Sequence, residues 1–229
     1  MFLNALIERL HNSLHNYEQA VTYLHIRNVT DEEIEEFKLG YSRIVSVIDD
    51  GTEECKLFLD EFRNGRKFEN KLIFPNYDMM GIPVGLLGRA IETKDFSLYL
   101  TKEGKYFGVL YGFCQAMPEI YKTGRVYVVE GPFDLFAFRK VFKNVVGTNT
   151  AELTVDQHEQ LSFYADEIIT VFDSDGPGRA ATERAKENFK TKSVDLGFKD
   201  PANCLVQCSS VKKFEERVKD KLKNISWKP

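Results

Sequence analysis

From Gly124 onward the chain alternates short apolar runs with amphipathic stretches, and few architectures accept that pattern. "RVYVVEG" reads as a strand, "PFDLFAFRKVF" as a helix, "NVVGT" as a strand, "TVDQHEQLSFYA" as a helix, "EIITVFDSD" as a strand, "GPGRAATERAKENF" as a helix and "KSVDLG" as a short strand. Strands alternating with helices of this length imply a parallel sheet with right-handed crossovers and helices on both faces. In such sheets reactive groups gather at the carboxyl ends of the strands. Glu130 and Asp173 fall at two of those ends. The tail "KKFEERVKDKLKNISWKP" reads as a charged closing helix.

The first half is patterned differently. Leu3, Leu6, Ile7, Leu10 and Leu14 repeat at helical spacing, and Thr30 with Glu33 forms a capping box before a second helix that Gly40 is expected to close. From Tyr41 to about Gly124, glycines and prolines punctuate the apolar runs "KLIFPNYD", "IPVGLLGRAI", "SLYLT" and "FGVLYGF", which predicts a twisted mixed or antiparallel sheet. The expected domains are 1–122, helical and mixed-sheet; 123–208, parallel-sheet; and 209–229, a charged helix and tail.

Composition narrows the compartment and the class of partner. The 229 residues are 43% hydrophobic, which suffices for a packed core without staples. Cys55, Cys114, Cys204 and Cys208 are too thinly spread for a disulfide scaffold. No apolar run approaches the roughly 18 to 20 residues of a membrane span. The N-terminal segment lacks the uninterrupted apolar core of a signal peptide, so Met1 is read as a true start and a soluble, reducing, cytoplasmic setting is expected. The formal net charge of -4 gives no composition-level sign of nucleic-acid binding. Charge is locally segregated, however, with a basic cluster at "FRNGRKFENK" beside the acidic "TDEEIEEF".

"VFDSDGPGRAA" places Asp173 and Asp175 one residue apart, on the same side of an extended strand. Two carboxylates so close cannot both ionise cheaply in a shielded site, and a divalent cation offsets their repulsion. Magnesium suits such a site, since it takes oxygen ligands and keeps waters that phosphate oxygens can replace. Gly176 and Gly178 are expected to permit close backbone approach and a sharp turn into the next helix. A calcium loop of EF-hand type is excluded by Pro177 and Arg184 at its fifth and twelfth positions. Gly176 and Pro177 also depart from an aspartyl-phosphate phosphatase. Taken alone, the pair is read equally well as a strand-to-helix turn with an aspartate cap. It is not alone: "VVEGPFDLFAF" sets Glu130 at another strand end with Asp134 four residues later, and "GFKDPANCL" adds Asp200 before a proline.

Glu-Gly-x-x-Asp, Asp-x-Asp-x-x-Gly and Lys-Asp-Pro, in this order, resemble the Toprim domain of DnaG-type primases. "VYVVEGPFDLFAF", "VVGTNTAELTVDQHEQL", "FDSDGPGRAATERA" and "KDPANCL" match it segment by segment. Upstream, "AVTYLHIRNVTDEEIEEFKLGYS", "KLIFPNYDMMGIPVGLLGR" and "LYGFCQA" resemble the rest of the primase catalytic core. The implied fold is α/β, an α+β N-terminal subdomain followed by a Rossmann-like parallel-sheet Toprim domain. The resemblance implies Glu130, Asp173 and Asp175 as catalytic, metal-binding acids, Asp134 and Asp200 as supporting metal acids, and Mg2+ or Mn2+ as cofactor. It implies Arg89 as a template or nucleotide-phosphate contact. Arg66, Lys67, Lys71, Lys102, Lys105 and Arg179 are further candidates for contacts to nucleic acid or nucleotide.

The chain also departs from the family. No Cys-x-x-Cys or Cys-x-x-His pair precedes the core. Cys204 and Cys208 lack a second ligand pair, and His11 and His15 share a helix face without the glutamate of a zinc protease, so no structural zinc is expected. Leu98 stands where primases tend to carry a lysine, with Lys102 or Lys105 as substitutes. Ala202, beside Asn203, replaces a second acid after Lys-Asp-Pro, and Glu69 and Asn70 replace basic residues before the sheet. No Walker-type phosphate loop is present, so the chain is not itself a helicase. The expected function is a primase core, plausibly from a bacteriophage or mobile element, making short RNA primers on single-stranded DNA from ribonucleoside triphosphates. A replicative helicase and a separate zinc-binding protein are the expected partners, with no membrane. The rival readings are a Toprim metal-dependent nuclease and a non-catalytic accessory module that binds helicase or single-stranded DNA.

Overall fold

The computed structural model describes residues 2–43, 51–53, 55, 56, 58, 60, 67–93, 95–101, 104, 105, 108–223 and 225. They fall into two compact units, Met1–Tyr106 and Phe107–Pro229. This division lies upstream of the 122/123 boundary drawn from the sequence alternation, because the helix at residues 113–123 packs on the parallel sheet.

In the first unit, α1 (Phe2–Leu14) buries Phe2 together with Leu3, Leu6, Ile7, Leu10 and Leu14, the five residues whose helical spacing announced it. Several of these pack with Phe58, Phe68, Ile73, Leu86 and Tyr99 in one apolar cluster. The first forty residues hold three helices instead of two, since α2 (Glu18–Ile26) lies between α1 and α3 (Asp31–Glu36). Both halves of the expected capping box are present: Thr30 Oγ1 accepts from the Glu33 N–H, and the Glu33 carboxylate accepts from the Thr30 N–H.

Gly40 does not close α3. Lys38 takes the left-handed conformation (φ 51°), and the Leu39 N–H reaches back to the Ile34 carbonyl at 3.0 Å. That is a Schellman-type ending with lysine in the usual glycine place. Gly40 instead opens β1 (Gly40–Ser42), where an added Cβ would lie 2.8 Å from the backbone carbon of Leu10.

β1 is followed by β2 (Lys71–Tyr77), β3 (Pro83–Ala90) and β4 (Phe96–Leu100), an antiparallel sheet in that order. Pro75 is tolerated within β2 because β1 pairs only with Lys71, Leu72 and Ile73, so that among the described residues that side of β2 has no ladder partner at Pro75.

The second unit begins with α4 (Phe113–Thr123). It continues β5 (Arg125–Val129), α5 (Pro132–Phe138), β6 (Val145–Gly147), α6 (Val155–Ser162), β7 (Glu167–Thr170), α7 (Gly176–Phe189) and β8 (Lys192–Ser193). The sheet order is β6-β5-β7-β8, all parallel, so β5 and β7 are neighbours although two helices and a strand separate them in sequence. Val126, Val128, Val146 and Ile168 of the sheet share a core with Phe113, Ala116, Ile120, Leu161, Ala181 and Ala185 of the helices. At the amino ends of the strands, the buried Glu167 carboxylate is held by Arg125 Nε at 2.6 Å and by Lys192 Nζ. Pairing satisfies a charge that burial would otherwise penalise heavily.

Two helices complete the unit, α8 (Pro201–Gln207) and α9 (Val211–Leu222). α8 starts directly after Asp200, which serves as its N-cap. α9 buries Phe214, Val218 and Leu222, so this part of the charged tail is packed structure. No helix among the described residues is long and apolar enough to cross a membrane.

The contact at Gly40 yields a stability prediction. Gly40→Ala should destabilise the chain by roughly 1–3 kcal/mol, because the methyl meets backbone that has no room to yield. Urea denaturation followed by circular dichroism measures it; an unchanged midpoint would contradict the packing described.

Candidate metal centre

Glu130 follows the last residue of β5, and Asp173 lies three residues beyond β7. Because these strands are adjacent and parallel, their carboxyl ends bring the two acids together. One Glu130 oxygen accepts the Asp173 backbone N–H at 3.0 Å. Asp134, in the first turn of α5, and Asp200, capping α8, complete the gathering. Asp134, Asp173 and Asp200 each present a carboxylate oxygen within 4.8 Å of the others.

Backbone amides orient the acids. The Ala202 N–H donates to Asp134 Oδ1 at 3.1 Å, the Asn203 N–H to Asp200 Oδ1 at 2.6 Å, and the Gly178 N–H to Asp175 Oδ1 at 3.0 Å. Each such bond engages one oxygen, and an ionised carboxylate has a second with which to face a cation. Ala202, where the resemblance implies a second acid, and Asn203 beside it thus serve the cluster through their main chain.

Asp173 and Asp175 are not alternate members of one strand. β7 ends at Thr170, and Asp175 is the N-cap of α7, so the capping reading of this turn is correct for Asp175. The two glycines also differ. A Cβ on Gly178 would lie 2.2 Å from the Asp173 carbonyl oxygen, whereas nothing lies within 4 Å of one on Gly176. Only Gly178 is required by close packing.

The electrostatics follow from this crowding. Partial burial, reinforced by Asp134, Glu130, Asp200 and Asp175, pushes the Asp173 carboxyl up to about 8. Burial likewise raises Glu130, with Asp175 and Asp200 adding to the rise, while the Asp173 amide and Lys199 oppose it. The cluster therefore resists full ionisation on its own, and an all-oxygen donor set of this kind suits Mg2+ or Mn2+.

Asp195 is a contributor that the sequence reading overlooked. It accepts from Ser174 Oγ at 3.0 Å and from the Gly197 N–H at 2.7 Å, while the Ser174 N–H donates to the Lys199 carbonyl at 2.7 Å. The loop carrying Asp173 is stitched in this way to the loop leading into Asp200. Asp195 follows β8, so strand-end reasoning would have found it. Its carboxyl is lowered chiefly by the Gly197 amide.

The candidate basic residues belong to both units. Arg179 is exposed in the first turn of α7, and its charge helps lower Asp195. In the first unit, Arg89 is half-buried in β3 and Lys105 is exposed. Lys71 is buried, its ammonium 2.6 Å from Asp95 and 2.8 Å from Ser97 Oγ, so its charge is already matched. Lys67 reaches the Leu98 carbonyl at 3.4 Å and brings an ammonium to the strand position where the sequence lacks a lysine. Arg66 and Lys102 lie outside the described residues.

A parallel-sheet unit with acids converging at its strand ends defines the Toprim class, and the Toprim domain model matches residues 124–198. The model of the N-terminal domain of the DNA primase catalytic core matches residues 8–117. A DNA primase of Treponema pallidum (strain Nichols) is 29% identical over 228 residues, covering 87% of this chain and 37% of its own length. A solved DnaG catalytic core superposes with a TM-score of 0.79 at 23% identity, over 96% of this chain and 78% of that one. A DnaG primase catalytic domain bound to single-stranded DNA superposes at 0.68 and 22% identity, over 95% and 79%. The chain belongs to the family of DnaG-type primase catalytic cores with a Toprim domain. It spans about a third of the length of the curated relatives it matches.

The raised Asp173 carboxyl fixes the sign of a pH effect. The neutral form is favoured in the fold, so its stabilisation is complete below about 4, and is lost as pH rises through about 8. Thermal melts of the metal-free chain should fall across that window, and Asp173→Asn should flatten the fall. Added Mg2+ should stabilise the parent chain more at high pH than at low pH, and stabilise Asp173→Asn much less. Equal Mg2+ shifts for both proteins would contradict the site.

Proposed function

We propose that the chain is the catalytic core of a primase, joining ribonucleoside triphosphates into short RNA primers on single-stranded DNA. The observation that carries this reading is the convergence of Glu130, Asp134, Asp173 and Asp200 in a Toprim unit, within a chain that also matches the primase N-terminal domain. Divalent ions held there, Mg2+ or Mn2+, would neutralise nucleotide phosphates and charge developing on the leaving pyrophosphate. Glu130 and Asp173 would be the principal ligands, Asp134 and Asp200 would supply further oxygens, and Asp175 would contribute the oxygen not engaged by Gly178. Asp195 and the Ser174 loop keep these groups in register.

Arg89 is our choice for a phosphate contact on template or nucleotide, supported by Lys67, Lys105, Arg179, Arg66 and Lys102. Lys71 would join them only by exchanging Asp95 for a phosphate. The single-stranded template is suggested by the structurally similar primase domain solved with single-stranded DNA. A replicative helicase and a separate zinc-binding protein would supply loading and start-site choice, and a bacteriophage origin with action in the host cytoplasm belongs to the same reading.

Template-dependent incorporation of labelled ribonucleotides tests this reading. Asp173→Asn and Glu130→Gln should each lower synthesis about 100-fold or more, the scale expected when charge stabilisation at a reacting phosphate is lost. Undiminished synthesis by both variants would refute the metal roles. Cleavage of a labelled strand without nucleotides would favour a Toprim nuclease, and DNA binding without synthesis, even with a helicase supplied, an accessory module. Arg89→Ala should weaken single-stranded DNA binding and reduce the slope of log affinity against log salt by about 0.7, the value for one lost phosphate contact. Fluorescence anisotropy over a salt series reads it, and an unchanged slope would remove Arg89 from the interface.

A further inference from the structure

A second cluster of ligand-type side chains lies in the first unit, and its chemistry differs from the carboxylate site. His11, in the last turn of α1, and His15, four residues on, present their rings to the same side, with centroids 5.9 Å apart. The sequence offers no helix-borne glutamate between them, but the fold supplies Glu35 from α3. Glu35 Oε2 lies 3.1 Å from His11 Nε2, and Glu35 Oε1 lies 3.6 Å from His15 Nε2.

The hydrogen bonding of His11 makes this arrangement informative. His11 Nδ1 lies 2.7 Å from the Leu39 carbonyl oxygen, which only accepts, so Nδ1 carries a proton. In the neutral ring Nε2 then bears a lone pair, and it faces a carboxylate oxygen that is also an acceptor. Two acceptors at 3.1 Å need a proton or a metal ion between them. The exposed His15 stands at ligand-to-ligand distance from the other Glu35 oxygen, beyond ordinary hydrogen-bond range. Metal bonds of about 2.0–2.1 Å at tetrahedral angles set ligand atoms about 3.3–3.4 Å apart, close to both separations. A histidine whose second nitrogen donates to a backbone carbonyl is also how proteins fix the ring of a metal ligand.

We propose that His11, His15 and Glu35 form a site for a borderline transition metal such as Zn2+, with water in a fourth position, clamping the end of α1 to α3. Imidazole with carboxylate selects such ions over Mg2+, which favours the oxygen-only cluster of the second unit. Lys38, whose ammonium lies 3.9 Å from both Glu35 and Glu8, is the local competitor for the carboxylate, and its half-buried side chain can turn to Glu8 or to water. The sequence pattern alone does not announce this site, since it has neither paired cysteines nor a helix-borne glutamate beside the two histidines.

The test is a Co2+ titration of the full chain in excess Mg2+, read by visible absorption, followed by displacement with Zn2+ and by thermal melting. One equivalent of Co2+ should bind with the intense absorption of a four-coordinate site, Zn2+ should bleach it, and Zn2+ should raise the melting temperature. His15→Gln and Glu35→Gln, both at exposed side chains, should each weaken binding at least 10-fold, and Asp173→Asn should leave it intact. Failure of the parent chain to bind one equivalent, retention of binding by both variants, or its loss in Asp173→Asn would overturn the proposal. None of these readouts depends on primer synthesis.

Discussion

Mutual repulsion among carboxylates at the ends of β5 and β7 is the constraint around which the second unit is organised. Glu130, Asp134, Asp173 and Asp200 are brought closer than isolated acids would settle, and partial burial together with these neighbours pushes the Asp173 carboxyl up to about 8. The fold opposes the repulsion with directed backbone amides, those of Asp173, Ala202 and Asn203, each aimed at one oxygen. Amide donors hold a carboxylate in place without neutralising it, so negative potential remains for a cation.

The rest of the unit keeps this arrangement in register. Val126, Val128, Val146 and Ile168 bury the sheet, and the Arg125–Glu167–Lys192 group ties the opposite ends of three strands. Gly178 lets α7 begin directly against the Asp173 backbone. The Asp195–Ser174 bond and the Lys199 carbonyl join the two loops that carry the acids. Strands bring the acids to one end of the sheet, and loop hydrogen bonds set the final orientation.

Much of this was legible in the sequence because it depends on local signals. The boundaries of α7 coincide with "GPGRAATERAKENF", where an aspartate cap precedes a proline near the helix start, and the Thr30–Glu33 capping box formed as written. Glu130 and Asp173 were reachable from the rule that strand ends collect reactive groups. What stayed hidden depends on chain return. The bond from Ala202 to Asp134 spans 68 residues, and the approach of Glu35 to His11 spans 24. No periodicity encodes such pairs. Gly40 misled because a glycine after a helix usually ends it, whereas here contact with Leu10 decides its identity and Lys38 takes the left-handed turn. α8 was missed although Asp200 followed by Pro201 is itself a helix-start signal.

The central claim, that the Toprim acids form one divalent-metal site, is tested most directly by anomalous diffraction from crystals of the chain soaked in Mn2+. The account predicts a peak about 2.0–2.3 Å from oxygens of Asp173 and of at least one among Glu130, Asp134 and Asp200, the range for a hard divalent ion on carboxylates. A map with no peak there at saturating Mn2+, or with peaks only elsewhere, would contradict it.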